Sequence, residues 1–420
     1  MDKASDLSYV KKTNALFLGF ILLFMAMELV IGVLAVMDVN IAIVPTLFIS
    51  QSIILVPSLV FVVIECIELK EWVPFKRIKW STFWLTILFT MCLSPFISFI
   101  NVLSQLFTTN IVAELSGEFL SVSPLVLMFV IGFFGPFCEE FTFRGIIYHG
   151  LSKSGRTLAA ILVSALFFGL MHMNLNQFSY AFILGLAFGL INEATGSIFP
   201  SLIMHILINS VNVGMQYIAD YGMTLSGESP EGLAGALSEL DAGTDDILMI
   251  AGALLIPALI GLTLSIVVFI AICRKEGSLD RIRLLFKQKK PSPSEESSAS
   301  PHVSEQETSS GAVAEAVSRD NTVTSSGAGS EAESESTAGS EAGTKTEAEA
   351  EADPETGPET GAASISAPEA GVASISEPEA PASVKKAKCP VITASGWIAI
   401  AICILVIAAS DILSQFVEGI

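Results

Sequence analysis

Long apolar runs, separated by short polar segments, occupy most of this chain. A run of 18 or more apolar residues with few charges predicts a transmembrane helix. Such runs lie at 15–37, 41–64, 82–107 and 247–273. A further run, 122–148, is apolar except for Glu139, Glu140 and Arg144, and shorter runs lie at 158–171, 178–191, 198–218 and 391–413. The pattern therefore predicts nine spans, of which the fifth and sixth are the shortest.

These spans predict an all-α fold, a polytopic membrane helical bundle of about nine transmembrane helices with a long disordered cytoplasmic segment. The predicted divisions of the chain are N-terminal helices 1–3 (1–119), a core of helices 4–7 (120–218), an acidic extracytoplasmic loop (219–246), helix 8 (247–273), a basic cytoplasmic segment (274–290), an acidic disordered linker (291–384) and C-terminal helix 9 (385–420).

The distribution of residues excludes a soluble globular enzyme, because the chain outside 291–384 is nearly neutral and more apolar than the average of 52% hydrophobic residues. Segment 291–384 differs from the rest, with 19 of the 42 acidic residues, 2 of the 22 basic residues and no aromatic residue. Such a segment buries too little apolar surface to offset its chain entropy, so we predict a disordered spacer. Docking of a basic partner is the alternative, although no specific motif supports it. Without a basic patch, nucleic-acid binding is not expected.

The Lys and Arg residues predict the orientation, because short cytoplasmic loops are enriched in them. With the N-terminus inside, 21 of the 22 basic residues lie on the cytoplasmic side, and Arg144 lies within a span. The opposite loop, 219–246, has seven acidic residues and no basic residue. We therefore expect a multi-pass protein of the cell membrane with its N-terminus and linker in the cytoplasm and its C-terminus outside.

Three charged residues interrupt the fourth span. A charge at the centre of a span costs at least about 2.5 to 3.5 kcal/mol, so such residues are functional candidates. Glu140 and Arg144 are spaced i, i+4 and can pair on one helix face. That pairing leaves Glu139 free to face a cavity. An ion pair that only stabilises helix packing would need one carboxylate, so it does not explain the second.

Two histidines and an asparagine lie in the spans that follow. His172 ends one apolar segment, and His205 and Asn209 share a helix face at i, i+4. A Glu and a His can together activate water for hydrolysis, while a His and an Asn can donate hydrogen bonds to an oxyanion. Alternatively, Glu139, His172 and His205 could bind Zn²⁺. The spacing does not choose between these mechanisms, and the chain lacks the H-E-x-x-H motif of zinc proteases.

Three motifs occur in order in this region: E-E-x-x-x-R at 139–144, F-x-x-x-H at 168–172 and H-x-x-x-N at 205–209. In these motifs the chain resembles the CPBP intramembrane proteases, which comprise CAAX prenyl proteases type II and bacteriocin-processing proteins and are also called the Abi family. The resemblance covers residues 120–215, about a quarter of the chain. It implies an endopeptidase that hydrolyses a peptide bond of a membrane-associated peptide or protein.

The resemblance also implies a role for each matching residue. Glu139 and His172 would activate the attacking water, and His205 and Asn209 would stabilise the oxyanion. Glu140 and Arg144 would support the site. Relatives are labelled metalloproteases, but a metal-free glutamate mechanism is also proposed for them, so the resemblance leaves Zn²⁺ open. The expected partners are membrane lipids and a peptide or membrane-protein substrate.

Two other functions compete with proteolysis. A non-catalytic scaffold or an immunity or regulatory protein on the same fold would be expected to lose a signature residue, and none is lost. A metal or proton-coupled transporter would continue the polar residues across the membrane, whereas Glu28 is the one charge deep in another span.

The predicted depth of His172 conflicts with one common site. Glu139 and His205 fall in the inner half of the membrane, whereas His172, about 14 residues into an outward span, falls nearer the outer side. A break or shift of the fourth helix at Gly132, Gly135 or Pro136, or a later start or a tilt of the fifth span, would change these depths.

Overall fold

A computed structural model describes residues 3–226, 244–287 and 390–418. The acidic linker at 291–384, most of the predicted extracytoplasmic loop and the end of the basic segment lie outside these residues. Within the described residues the chain forms helices and no strand, which confirms the all-α prediction.

The apolar helices are numbered α1 to α9 in chain order. They are α1 (Lys3–Val36), α2 (Ile43–Ile64), α3 (Trp80–Ser104), α4 (Pro124–Ser152), α5 (Thr157–Leu170), α6 (Leu175–Thr195), α7 (Phe199–Ser226), α8 (Thr244–Lys275) and α9 (Ala394–Glu418). The described residues also form four short helices: Leu69–Trp72, Ile111–Glu114, Ser116–Leu120 and Leu279–Phe286.

Seven of these helices in the described residues are long and apolar enough to cross a membrane, and they support a multi-pass membrane protein. The other two are shorter apolar stretches, Thr157–Leu170 and Ala394–Ser410. Each predicted span thus corresponds to an apolar helix, and α5, with 14 residues, is the short one. The sixth, predicted to be among the shortest, extends over 21 residues in α6.

Helix α4 is an α-helix that widens twice into π-helical segments. These segments are Met128–Phe134 and Phe141–Ile147, and Gly135–Glu140 between them is α-helical. A π-helical segment bonds i to i+5 and is frequent at functional sites. The catalytic candidates Glu139 and Glu140 therefore end a short α-helical piece that is flanked by irregular turns.

Side chains of a neighbouring helix satisfy carbonyls of the first π-helical segment. Pro136 has no N–H group, so carbonyls one turn earlier lose a donor. Asn209 Nδ2 donates to the Ile131 carbonyl at 3.1 Å, and Ser210 Oγ lies 3.5 Å from the Gly132 carbonyl. A Cβ on Gly132 would lie 2.7 Å from Ser210 Oγ, so only glycine permits this approach. Backbone groups inside a membrane must be satisfied in this way.

Carbonyls of the second π-helical segment have similar partners. Ser164 Oγ donates to the Phe143 carbonyl at 3.0 Å. His149 Nδ1 lies 3.0 Å from the carbonyls of both Arg144 and Gly145. His149 thus stabilises the backbone that carries Arg144, which gives this histidine a structural role.

The turn between α5 and α6 places His172 close to the other candidates. At about 1.5 Å per residue, the 14 residues of α5 span about 21 Å, less than the hydrocarbon core of about 30 Å. If α5 starts at the surface, where Lys153 and Arg156 precede it, then it ends inside the membrane. Asn174 caps α6 there by accepting from the Gln177 N–H at 3.0 Å.

Two glycines of α6 allow it to contact α5 closely. A Cβ on Gly185 would lie 2.9 Å from Ala165 Cα, and a Cβ on Gly189 would lie 2.8 Å from Ile161 Cγ2. Small residues four apart permit such contact between membrane helices. A Cβ on Gly185 would also lie 3.3 Å from Arg144 Nη2, so this glycine leaves room for the guanidinium.

Gly185→Ala is therefore expected to destabilise the protein. Overpacking costs about 1 to 3 kcal/mol, and the gain in helix propensity offsets up to about 1 kcal/mol of this. The thermal unfolding temperature in detergent should fall. Gly214→Ala in α7 is the matched control, because a Cβ there meets nothing within 4 Å. Equal unfolding temperatures for the two variants would contradict the prediction.

Asn14 connects α1 to the start of α9. Its fully buried amide donates to the Val391 carbonyl at 3.0 Å, and its Oδ1 accepts a hydrogen bond from the Thr393 N–H at 3.3 Å. A Cβ on Gly396 would lie 2.0 Å from Asn14 Oδ1, so the contact requires glycine. The residues that follow the linker are thus bonded directly to the first helix.

Candidate active site

The centre of the candidate site is a buried cluster of Glu140, Arg144 and His205. Arg144 Nη1 lies 3.0 Å from Glu140 Oε1, as the i, i+4 spacing predicts. His205 Nδ1 reaches the same oxygen at 3.1 Å. The side chains of Glu140 and Arg144 are only 1% and 3% exposed. Because a carboxylate accepts, His205 Nδ1 carries a hydrogen, and its Nε2 points to the other side.

Two aromatic rings surround the Arg144 guanidinium. Its Cζ lies 4.1 Å from the centre of the Phe168 ring and 4.8 Å from that of Phe188. Cation–π contacts of this kind stabilise a desolvated arginine. The rings of Phe168 and Phe188 also contact the His205 imidazole, at centroid distances of 5.7 Å and 5.1 Å. Arg144 and His205 are therefore held by the same two rings.

Glu139 lies beside this cluster and is more accessible than Glu140. Its Oε2 lies 3.6 Å from His205 Nε2, and the side chain is 14% exposed. Its Oε1 accepts a hydrogen bond from Gln51 Nε2 in α2 at 3.2 Å. The His205 ring thus lies between two carboxylates: Nδ1 faces the buried Glu140, and Nε2 faces Glu139.

His172 lies just beyond α5 and contacts the aromatic part of the cluster. Its Nδ1 is 2.9 Å from the Phe168 carbonyl. A carbonyl only accepts, so Nδ1 carries the hydrogen and a neutral His172 has its lone pair on Nε2. The imidazole meets the Phe168 ring edge-on, at 5.3 Å and 86°. His172 and His205 are thus in contact with the same phenylalanine, and His172 has a nitrogen that can accept a proton.

Asn209 contacts α4 rather than the two carboxylates. One hydrogen of its amide is engaged by the Ile131 carbonyl. An asparagine amide has two hydrogens, so one remains for an oxyanion. In this structure Asn209 positions the helix that carries Glu139.

The described residues do not present a metal-binding group. No three or more His, Cys, Asp and Glu side chains among them lie close enough together to hold a metal ion. The binding of Zn²⁺ by Glu139, His172 and His205 stays a prediction.

The structure brings Glu139, Glu140, Arg144 and His205 into direct contact, and it connects His172 to them through Phe168. Sequence reasoning did not identify Gln51, although an amide inside an apolar span was a signal. It also did not identify the two phenylalanine rings, because apolar residues are common throughout the spans. Glu28, considered above for a transport path, is exposed on α1 and lies outside this cluster.

Comparison with known proteins gives one result for this region. A family model described as type II CAAX prenyl endopeptidase Rce1-like matches residues 121–211, which contain all three motifs. No curated protein and no solved structure matches the chain. The match confirms the resemblance found in the sequence and supports a peptidase of the CAAX type II intramembrane kind. Residues 121–211 of this multi-pass membrane protein thus carry the sequence signature of the Rce1-like type II CAAX prenyl endopeptidases.

Proposed function

We propose that this protein is an intramembrane endopeptidase that hydrolyses a peptide bond of a membrane-associated peptide or protein. One observation carries the proposal. Glu139, a partly exposed carboxylate, lies 3.6 Å from the Nε2 atom of an imidazole whose Nδ1 is engaged by the buried Glu140. A base beside a fixed hydrogen-bond donor is the arrangement that general base hydrolysis requires.

In the proposed reaction, Glu139 accepts a proton from water, and the water oxygen bonds to the peptide carbonyl carbon. The carbonyl oxygen becomes an oxyanion, which accepts a hydrogen bond from Nε2–H of a protonated His205 and from the remaining amide hydrogen of Asn209. The C–N bond then breaks, and the leaving nitrogen receives the proton that Glu139 had accepted. The free Nε2 of His172 accepts a hydrogen bond from the same water and orients it for attack.

Glu140 and Arg144 support this reaction without touching the substrate. The Glu140 carboxylate fixes Nδ1–H of His205, so that Nε2 faces the reacting oxygen. Arg144 balances the charge of Glu140, since a lone buried carboxylate would be strongly destabilising. The roles implied by the family motifs are therefore chemically compatible with the positions of these side chains.

Purified protein in lipid nanodiscs should be tested on a library of membrane-associated peptides, with and without a C-terminal prenyl group. We expect His172→Ala to lower the cleavage rate of any substrate found by about a hundredfold or more. His302→Ala is the matched control, because this histidine lies in the linker, outside the described residues. Equal rates for the two variants would contradict the role of His172.

A parallel reaction with a strong zinc chelator tests the mechanism. Full activity after chelation is expected for the glutamate mechanism, and loss of activity that is restored by added Zn²⁺ would assign the family's metal-dependent mechanism instead. If the wild-type protein cleaved no peptide, or only peptides that the His172→Ala variant also cleaved, we would conclude that the protein is a non-catalytic scaffold rather than a protease.

A further inference from the structure

A glutamine in α2 contacts the proposed catalytic base. Gln51 Nε2 donates to Glu139 Oε1 at 3.2 Å, across the interface between α2 and α4. Gly135, one turn before Glu139, lies beside this amide: a Cβ there would be in van der Waals contact with Gln51 Nε2, at 3.5 Å. The amide therefore lies directly against the helix that carries the two carboxylates.

Gln51 differs from the other polar residues of α2. Each hydroxyl group of this helix donates to a carbonyl of α2 itself or of the residue before it: Thr46 to Ala42, Ser50 to Leu47, Ser52 to Phe48 and Ser58 to Ile54. Ser58 Oγ also lies 3.1 Å from the Thr142 hydroxyl of α4, but no hydroxyl of α2 contacts a carboxylate in the described residues. Each of these hydroxyls thus has a hydrogen-bond acceptor within or next to its own helix and is tolerated in an apolar helix. Gln51 instead directs its amide to a carboxylate of another helix.

The oxygen of the Gln51 amide makes no contribution to the stability of the fold. Among the described residues, its Oε1 is buried and has no hydrogen-bond partner. A buried acceptor without a partner is destabilising. A leucine or methionine would fill this place in an apolar span without that cost, so packing does not explain the glutamine. The hydrogen bond to Glu139 explains why a glutamine stands here.

We propose that Gln51 is a positioning residue that holds the Glu139 carboxylate in its reactive orientation. This inference rests on the proposed function, in which Glu139 is the base. By binding Oε1, the amide directs Oε2 towards His205 Nε2 and the space where water and the peptide carbonyl would meet. The same bond stabilises the ionised carboxylate, since hydrogen bonds to a charged acceptor are the stronger kind.

Two replacements separate positioning from packing. Gln51→Met keeps the length of the side chain but removes the donor, and Gln51→Glu keeps the shape but places a carboxylate against Glu139. We expect kcat to fall about tenfold to a hundredfold in Gln51→Met, with KM within about threefold of wild type. Gln51→Glu should lose more, because two carboxylates repel each other at this distance.

Gln51→Met is the diagnostic variant. A residue needed only for packing would tolerate methionine, which fills the same space, with kcat unchanged. Gln105→Met is the matched control, because the Gln105 amide bonds to the Asn101 carbonyl of its own helix at 3.3 Å. It should leave kcat unchanged.

The inference fails if Gln51→Met and Gln51→Glu both keep wild-type kcat while Glu139→Gln is inactive. That result would leave the proposed function intact. An inactive wild type would instead overturn the proposed function itself. Should Gln51→Met not fold, Gln51→Leu takes its place: a loss of kcat with an unchanged unfolding temperature supports positioning, and full activity overturns it.

Discussion

Glu139→Gln is expected to lower kcat by about a hundred- to ten-thousandfold, the contribution of a general base. The amide of glutamine has the shape of the carboxylate but cannot accept a proton from water. Glu139 lies at the edge of the buried cluster rather than within it, so the exchange removes no buried ion pair. The unfolding temperature should therefore stay within a few degrees of wild type.

Single-turnover cleavage and thermal unfolding, both in nanodiscs, would test this separation of activity from stability. Glu65→Gln is the matched control, because it removes a carboxylate that pairs with Lys12 at 2.5 Å, away from the site. A Glu139→Gln variant that retained a tenth or more of the wild-type rate would remove Glu139 from the role of base.

Arg144→Met is expected to cause the largest loss of stability, about 3 to 5 kcal/mol, because it leaves the buried Glu140 charge without its partner. The variant also loses the contacts of the guanidinium with the Phe168 and Phe188 rings. The free energy of unfolding can be measured by chemical denaturation in mixed micelles. Activity should fall with it, since His205 depends on Glu140 for its orientation.

The double variant Glu140→Gln/Arg144→Met tests the cause of that loss. It removes both charges, so it should be more stable than Arg144→Met alone. Arg283→Met is the surface control: its guanidinium pairs with Asp280 at 3.4 Å, and its side chain is 61% exposed. An exposed pair contributes at most about 1 kcal/mol. Losses of similar size at Arg144 and Arg283 would contradict the assignment of a buried ion pair.

The sequence alone was sufficient for the fold class and for the pairing within α4. Hydrophobic runs predicted the helices, because the membrane allows few alternatives to a helix. The i, i+4 spacing predicted the Glu140–Arg144 pair, since both residues lie on one helix. Both predictions depend only on interactions within a single helix.

Contacts between elements were not predictable in this way. The bond from Gln51 to Glu139 depends on how α2 lies against α4, and the bond from His205 to Glu140 depends on α7. Pro136 indicated a break in the fourth span, but not that Asn209 would satisfy the carbonyl of Ile131. These contacts depend on the register between helices, which a hydrophobic pattern does not specify.

The position of His172 relative to the other candidates was not predictable from the length of its span. The run predicted at 158–171 and the helix Thr157–Leu170 have nearly the same bounds and the same length of 14 residues. His172 follows the end of α5 and meets Phe168, whose ring lies against Arg144. This contact depends on how α5 packs against α4, which the hydrophobic pattern does not specify.

The bonds of Asn14 to Val391 and Thr393 have a consequence for how the chain could be divided. They hold α9 to α1 through contacts that do not involve the linker at 291–384. Two separately expressed polypeptides, cut within that linker, should therefore reassemble in one membrane and co-purify. Asn14→Leu should weaken their association. The linker would then ensure that both pieces are produced in equal amounts, and it would not be needed to keep them together.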